Sequence, residues 1–209
     1  MWLLLLLLIA YLLGSIPTSI IAGKLLRGID IRDYGSHNPG ATNTFRVLGK
    51  KIGVGVGLID IGKGFLAVVL LPALIPADSW TNQELRRILA GFAAVAGHVW
   101  TVFAGFKGGK GVGAAFGVFL GLAPLPSLFA AVVWSALTFG TGYVSLGSVI
   151  AALALPAAVI AEGIWRHNLS APVALLAGIV GLLVVVRHRS NISRLLRGEE
   201  NRFGRRGKP

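Results

Sequence analysis

Apolar residues run in long blocks along this chain, and short polar links separate them. Most blocks approach the roughly 20 residues that an α-helix needs to cross the hydrocarbon core of a bilayer. They predict spans at about 2–23, 52–75, 88–106, 112–123, 127–138, 145–163 and 171–186, followed by a basic tail over 187–209. The apolar stretch from Val112 to Ala161 is divided at Pro124-Leu125-Pro126-Ser127 and at Phe139-Gly140-Thr141-Gly142, because proline and glycine punctuate helices. The opening residues have the look of a signal-peptide core. They lack a basic leading segment, however, and apolar character resumes after Gly14-Ser15-Ile16-Pro17 up to Gly23, so a retained first span is expected. The predicted fold class is an all-α integral membrane protein, a polytopic bundle of seven transmembrane helices forming a single domain over residues 1–209.

Composition points the same way. Of 209 residues, 55% are apolar and only 13% are charged, and the mean hydropathy is +0.76. Soluble domains carry about a quarter charged residues. The chain has no cysteine, which excludes disulfides and thiolate chemistry. A net charge of +12 raises the question of nucleic acid, but the basic residues lie between apolar runs rather than on one soluble face, so no nucleic-acid partner is expected. Their distribution orients the chain instead. With the N-terminus outside, sixteen Lys and Arg fall on the inner side and three (Arg86, Arg87, Arg166) on the outer. Cytoplasmic loops carry that excess, so the prediction is N-terminus out and C-terminus cytoplasmic. Merging the fourth and fifth spans would split the basic residues between the two sides.

The spans are rich in small residues: Gly53, Gly55, Gly57, Gly62 and Gly64 on the second, and Gly113, Gly117 and Gly121 on the fourth. Such residues let helix backbones approach closely in lipid. Asp60 and Lys63 lie three apart on one face of the second span, where ionisable groups are costly and mark function by default. Their plainer role is a neutralising pair that fixes the bundle. Asp60 is also placed to orient His98 or a loop lysine.

Four polar clusters fall on the predicted inner side. Gly35-Ser36-His37-Asn38-Pro39-Gly40-Ala41-Thr42-Asn43, with Arg46 beyond, offers hydroxyls, amides and backbone N–H groups ahead of a helix that Thr42 or Asn43 is expected to cap. The plain alternative is a capped interfacial loop. Phe106-Lys107-Gly108-Gly109-Lys110-Gly111 joins two point charges to glycines that admit a ligand close to the backbone. It lacks the spacing and the Ser or Thr of a Walker loop, and its plain alternative is a pair of positive-inside anchors. Thr141 to Ser148, which contains Ser145, is weak alone, since serines in membrane helices commonly serve packing. Arg187-His188-Arg189-Ser190-Asn191-Ile192-Ser193-Arg194 reads equally as a stop-transfer tail. The four histidines are dispersed with no carboxylate-rich partner set, so no metal site and no cofactor are expected. No Ser-His-Asp order is readable.

At these residues the chain resembles the bacterial acyl-phosphate-dependent glycerol-3-phosphate acyltransferases, the PlsY family. The resemblance rests on GSIP at 14–17, GSHNPGATN at 35–43, Asp60 with Lys63-Gly64, Gly97-His98, FKGGKGV at 106–112, Ser145, and RHxxNIxRLLxGxE beginning at Arg187. It covers nearly the whole chain in order. It implies transfer of a fatty acyl group from acyl phosphate to a hydroxyl of glycerol-3-phosphate, giving lysophosphatidic acid and phosphate, the first acylation of bacterial phospholipid synthesis. The implied setting is the bacterial cytoplasmic (inner) membrane, with the site facing the cytoplasm and a functional link to the enzyme that makes acyl phosphate. The partners are then glycerol-3-phosphate, fatty acyl phosphate and membrane lipid. The enzymes that use acyl-CoA through an HxxxxD motif are excluded, since Val99-Trp100-Thr101-Val102-Phe103 follows His98 without an aspartate.

The resemblance places Ser36, Asn38, Ser145, His188 and Asn191 in the catalytic motifs. The division of roles is our own reading: substrate binding falls to Thr42, Asn43, Arg46, His98, Lys107, Gly108, Gly109, Lys110 and Arg194, with Asp60 and Lys63 in an orienting role. Within this set Arg46, Lys107, Lys110 and Arg194 are the expected phosphate binders. An arginine grips phosphate through two donors, and lysine supplies a compact charge. The general base stays open among His98, His188 and the phosphate of the substrate, the last preferred because phosphate monoesters titrate near pH 6. Competing classes are a small transporter relaying ions through Asp60 and Lys63, which lacks an evident internal repeat, and a structural membrane subunit, which leaves the shared face of the Gly-rich motifs unexplained.

Overall fold

The computed structural model describes residues 1–202, and Arg205, Arg206 and Lys208 of the predicted tail lie outside the described residues. Among the described residues every regular element is helical. The chain forms two compact units, Met1–Leu122 and the remainder from Ala123.

The first unit opens with α1 (Trp2–Ser15) and α2 (Thr18–Arg27). The first span is therefore not continuous over 2–23. Pro17 has no N–H to donate into a helical turn, and the backbone leaves the helix at Ile16 before resuming at Thr18. Helix α2 ends at Gly28, whose φ of 66° suits a residue without a Cβ. The predicted polar link over 24–51 holds a 3-10 turn, Ile31–Asp33, and α3 (Ala41–Leu48). Next come α4 (Lys50–Val69), α5 (Leu71–Leu74), α6 (Gln83–Val99), a second 3-10 turn (Val102–Ala104) and α7 (Val112–Leu122). The third span starts earlier than expected because Asn82 Oδ1 accepts the Leu85 N–H at 2.7 Å and caps α6. It also ends earlier, and residues 100–106 form a turn rather than helix.

The second unit holds α8 (Pro124–Thr141), α9 (Val144–Trp165), α10 (Ala171–Arg187) and α11 (Arg189–Leu196). Pro124 and Pro126, read from sequence as a break, instead open α8. Proline is tolerated in a first turn, where the N–H has no helical partner to lose. The fifth span accordingly runs through Thr141, where Gly142 in the left-handed region stops it. The start of the predicted tail is helical in α11, bent 58° from α10.

Five stretches are long and apolar enough to cross a membrane: Trp2–Arg27, Lys50–Leu74, Gln83–Ala104, Pro124–Thr141 and Val144–Trp165. The bent pair of α10 and α11 is a sixth candidate. Helix α7 has 11 residues, hence a length of only roughly 16 Å against a hydrocarbon core of about 30 Å.

Glycines set how the first unit packs. A Cβ at Gly14 would strike the Ala94 carbonyl and one at Gly97 the Tyr11 carbonyl, so α1 and α6 each lend the other a bare backbone. The same exchange joins α4 and α7, with Gly64 under the Ala114 carbonyl and Gly117 under that of Ile61. Two arginines close helix ends. Arg86 is buried and donates to the Ile75 and Pro76 carbonyls, while Arg87 donates to Val68 O at 3.0 Å and to Gly121 O. Both place positive charge where the carbonyl dipoles of α4, α5 and α7 end. In the second unit, Gly147 leaves room for Trp134 and Thr138 of α8, and Trp134 Nε1 donates to Ser148 Oγ at 3.2 Å.

Candidate functional site

The break after α1 creates the first polar cluster. Ile16 lies outside the helix, and its carbonyl accepts a hydrogen bond from Lys63 Nζ at 3.0 Å. Lys63 pairs with Asp60 at 2.8 Å along α4, and both side chains are buried, with relative exposures of 4% and 5%. Thr18 Oγ1, in the first turn of α2, donates to the same Asp60 oxygen at 2.7 Å. His98 Nδ1, in the last turn of α6, stands 3.6 Å from it. Asp60 thus faces three donor-bearing side chains from α2, α4 and α6. An isolated buried charge would be costly, and this company reduces that cost. Gly113 of α7 closes on the Asp60 Cβ from a fourth side.

His98 also meets the Lys107–Lys110 loop. Gly109 N donates to His98 O at 3.0 Å and Gly108 N to Val99 O at 3.1 Å. The loop lies flat against the end of α6, and a Cβ on Gly108 would hit the His98 carbonyl while one on Gly109 would hit His98 Nε2. Thr101 anchors the turn by donating to Ser15 O and by accepting from Phe106 N at 2.8 Å. These pieces surround a narrow cleft lined by residues 14–20, Pro39, Asp60, Lys63, His98, Thr101, Gly108 and Gly109. An apolar recess lined by Leu13, Ile16, Ile59, Gly62, Lys63 and Leu66 shares Ile16 and Lys63 with it. Ser36, Asn38, Thr42, Arg46, Lys107 and Lys110 lie outside the lining of the cleft.

The Ser36 loop is held from beneath by Asn43. This buried amide accepts from Ser36 N at 2.8 Å and donates to Tyr34 O at 2.9 Å and Ile31 O at 3.1 Å. The expected helix cap is therefore not made. Gly40 occupies the cap position of α3, and Asn43 in the first turn reaches back to the loop instead. These three bonds tie Asn43 to the loop backbone and hold Ser36 N in place. His37 takes a left-handed φ of 57°, uncommon for a residue with a side chain, and its Nδ1 bonds the Arg32 carbonyl at 2.9 Å.

Asp30 and Arg32, outside the sequence candidates, brace this loop. Arg32 Nη2 and Nε meet the Asp30 carboxylate at 2.7 and 3.0 Å. The side-chain hydrogen bond from Arg32, aided by its backbone N–H and its charge, holds the Asp30 carboxyl down at about 2 against an ordinary 3.8. A depressed carboxylate stabilises the fold fully above its ordinary pKa. That contribution declines as the pH falls below 3.8 and is gone below about 2. Comparing the melting of wild type and Asp30→Asn should give a difference that is constant from pH 8 to about 5 and shrinks on acidification. A difference that grew on acidification would contradict this.

The second unit has its own cluster, centred on Glu200. Its carboxylate accepts from Asn191 Nδ2 at 2.7 Å, Ser145 Oγ at 3.1 Å and Arg194 Nε at 2.7 Å. Three predicted site residues from α9 and α11 thus share one buried acid that sequence reasoning passed over. Its place as the final acid of RHxxNIxRLLxGxE was the available signal. His188, at the bend between α10 and α11, bonds Val184 O through Nδ1 at 2.8 Å. A carbonyl only accepts, so the proton sits on Nδ1. Arg202 stacks on Tyr143 at 5.2 Å and donates to its hydroxyl, tying the following segment to the start of α9. Thr18 and Thr101 also escaped the sequence reading, since an isolated hydroxyl carries no pattern, and Ser15 entered it only as a member of GSIP.

Several helices long and apolar enough to cross a membrane, with buried polar clusters beside glycine-rich turns, define a multi-pass membrane protein. The family model for glycerol-3-phosphate acyltransferases matches residues 4–198. A glycerol-3-phosphate acyltransferase of Chlorobaculum parvum is 45% identical over 222 residues, covering 95% of this chain and 96% of the relative. One of Chlorobium chlorochromatii is 42% identical over 226 residues, covering 96% and 97%. The crystal structure of PlsY, an integral membrane glycerol 3-phosphate acyltransferase, in its glycerol 3-phosphate form superposes with a TM-score of 0.83 at 40% identity, covering 97% of this chain and 96% of that one. Its lysophosphatidic acid form gives 0.81. The chain belongs to the PlsY family of glycerol-3-phosphate acyltransferases.

Proposed function

We propose that this acyltransferase takes its acyl group from a fatty acyl phosphate and releases lysophosphatidic acid and inorganic phosphate. The observation that carries this reading is the setting of His98. No aspartate follows it at the spacing used by HxxxxD enzymes, and its ring packs instead against Gly109 of the loop that runs from Lys107 to Lys110. That setting suits a substrate whose leaving group is itself a phosphate. The hydroxyl oxygen of glycerol-3-phosphate attacks the acyl carbonyl carbon, the carbon–oxygen bond to phosphate breaks, and phosphate leaves with the bonding electrons. The hydroxyl proton passes to a substrate phosphate oxygen, with His98 and His188 as the side-chain alternatives. An acyl phosphate is already activated, so alignment supplies most of the help, about 7–11 kcal/mol in favourable systems. One oxyanion donor adds about 3–4 kcal/mol.

In this proposal Arg46, Lys107, Lys110 and Arg194 bind phosphate. Ser36, Asn38, Thr42, Ser145, His188 and Asn191 orient the reactants and polarise the carbonyl, and Gly108 and Gly109 admit the phosphate to the backbone. Asn43, Asp60 and Lys63 are positioning residues. The chain acts as one acyltransferase domain. It crosses the bacterial inner membrane seven times, N-terminus outside, with its chemistry on the cytoplasmic face and its acyl phosphate supplied by a separate enzyme. The distribution of Lys and Arg supports that orientation.

Purified protein in detergent, given glycerol-3-phosphate and either palmitoyl phosphate or palmitoyl-CoA, should form lysophosphatidic acid from the phosphate alone. Product from the CoA ester alone would overturn the donor assignment. Folded protein inactive with both would overturn the reaction.

A further inference from the structure

One arginine touches both loops of the first unit. Arg32 N is held by Asp30 Oδ1 at 3.0 Å, and the Arg32 carbonyl accepts from His37, the neighbour of Ser36, at 2.9 Å. Its guanidinium reaches the other way. Nη1 donates to the Ala104 carbonyl at 3.1 Å, while Nε and Nη2 are occupied by Asp30. The Ala104 carbonyl is also the acceptor for Lys107 N, at 3.4 Å. The bond from Arg32 therefore lands on the oxygen that closes the turn into Lys107.

We propose that Arg32, fixed by Asp30, is a positioning residue that sets the spacing between the Ser36 loop and the Lys107 loop. The inference rests on the reading of Ser36 and Lys107 as substrate-contacting groups. Its physical basis is that neither loop is regular structure. Each needs an outside partner to hold one geometry, and a planar guanidinium with a fixed fork can satisfy a carboxylate and a carbonyl at once. A lysine has a point charge and no fork, so it cannot hold the same two acceptors in the same relation. Misplacing a reacting group by about 1 Å can cost a factor of about 100 in rate.

The test uses the full-length enzyme with whichever acyl donor supports product in wild type, so a wrong donor assignment does not obscure the result. Arg32→Ala should lower kcat/KM by about 10- to 100-fold, chiefly through a higher KM for the phosphate substrates, in a protein that stays folded at the assay temperature and loses in melting no more than Asp30→Asn does. Arg32→Lys should recover less than half of that loss on a logarithmic scale. The reversed pair Asp30→Arg with Arg32→Asp separates two roles. It restores opposite charges two residues apart but leaves position 32 with no donor for Ala104. It should unfold like wild type and stay impaired. Full activity in Arg32→Ala, or full rescue by the reversed pair, would overturn the proposal. If Arg32→Ala does not fold, Asp30→Asn, which frees the guanidinium without deleting it, is the deciding variant. Wild-type kinetics in that protein would equally overturn it.

Discussion

Replacing Asp60 by alanine should destabilise this protein by about 3–5 kcal/mol, the cost of leaving one member of a buried ion pair alone. Lys63 is 4% exposed and points its ammonium at Asp60 and the Ile16 carbonyl. Without the carboxylate, one carbonyl faces a full charge within an apolar span. Thr18 loses its acceptor and His98 its neighbour at the same time. The diagnostic is the double variant. Asp60→Ala combined with Lys63→Met removes both charges, and buried pairs replaced by apolar residues of similar size are often neutral. The double variant should therefore be more stable than Asp60→Ala alone. Tryptophan-fluorescence melting in detergent reads both. If Asp60→Ala melts like wild type, the pair is not the anchor that its burial suggests. If the double variant is the worse one, the cost lies in packing rather than charge.

The second large effect concerns a residue with no functional group. Gly108→Ala should lower kcat/KM by about 100-fold while leaving the helices intact. The added methyl would collide with the His98 carbonyl and lie 2.8 Å from that of Val99, both backbone atoms of the last turn of α6. Neither can swing aside as a flexible side chain would. The loop must lift, breaking the bonds from Gly108 N and Gly109 N and carrying Lys107 away from its position. Circular dichroism should be unchanged, and the loss should fall mainly on KM if Lys107 holds a phosphate. Wild-type kinetics in Gly108→Ala would mean that the loop is mobile enough to rebuild, and that its flat seat on α6 does not matter.

The presence of apolar helices was legible because hydropathy in a membrane is a local property, and the chain has little else to encode there. Boundaries were legible only where one chemistry allowed one outcome. Gly142 stops α8 as a residue suited to positive φ should, whereas Pro124 suits both an end and a beginning, and the beginning won. Helix α3 was legible as a helix behind the Ser36 loop, but its start was not, because Gly40 takes the cap position and leaves Thr42 and Asn43 inside the first turn. Asp60 and Lys63 were found because charge is conspicuous in an apolar span. The couplings around them were not. Nothing local tells Thr18 that its acceptor lies 42 residues on, or Ser145 that Glu200 lies 55 on. Asp30 and Arg32 resembled any charged pair in a loop, and their reach to Ala104 depends on how α2 and α6 end.

The exchanged glycines of the first unit have a bearing on how loss-of-function variants should be interpreted. Gly14 adjoins Ser15, Gly97 adjoins His98, and Gly64 adjoins Lys63, so three of the tightest backbone crossings sit one residue from a polar group of the cleft. Packing and chemistry are ruled on the same scale. A side chain at any of these glycines would slide its helix along that scale and carry the neighbouring polar group out of alignment. Inactive variants there would cluster in space with those at His98 and Lys63 and mimic a map of catalytic residues. What such a map would trace is a gauge, made of bare backbone, against which the reacting groups are aligned.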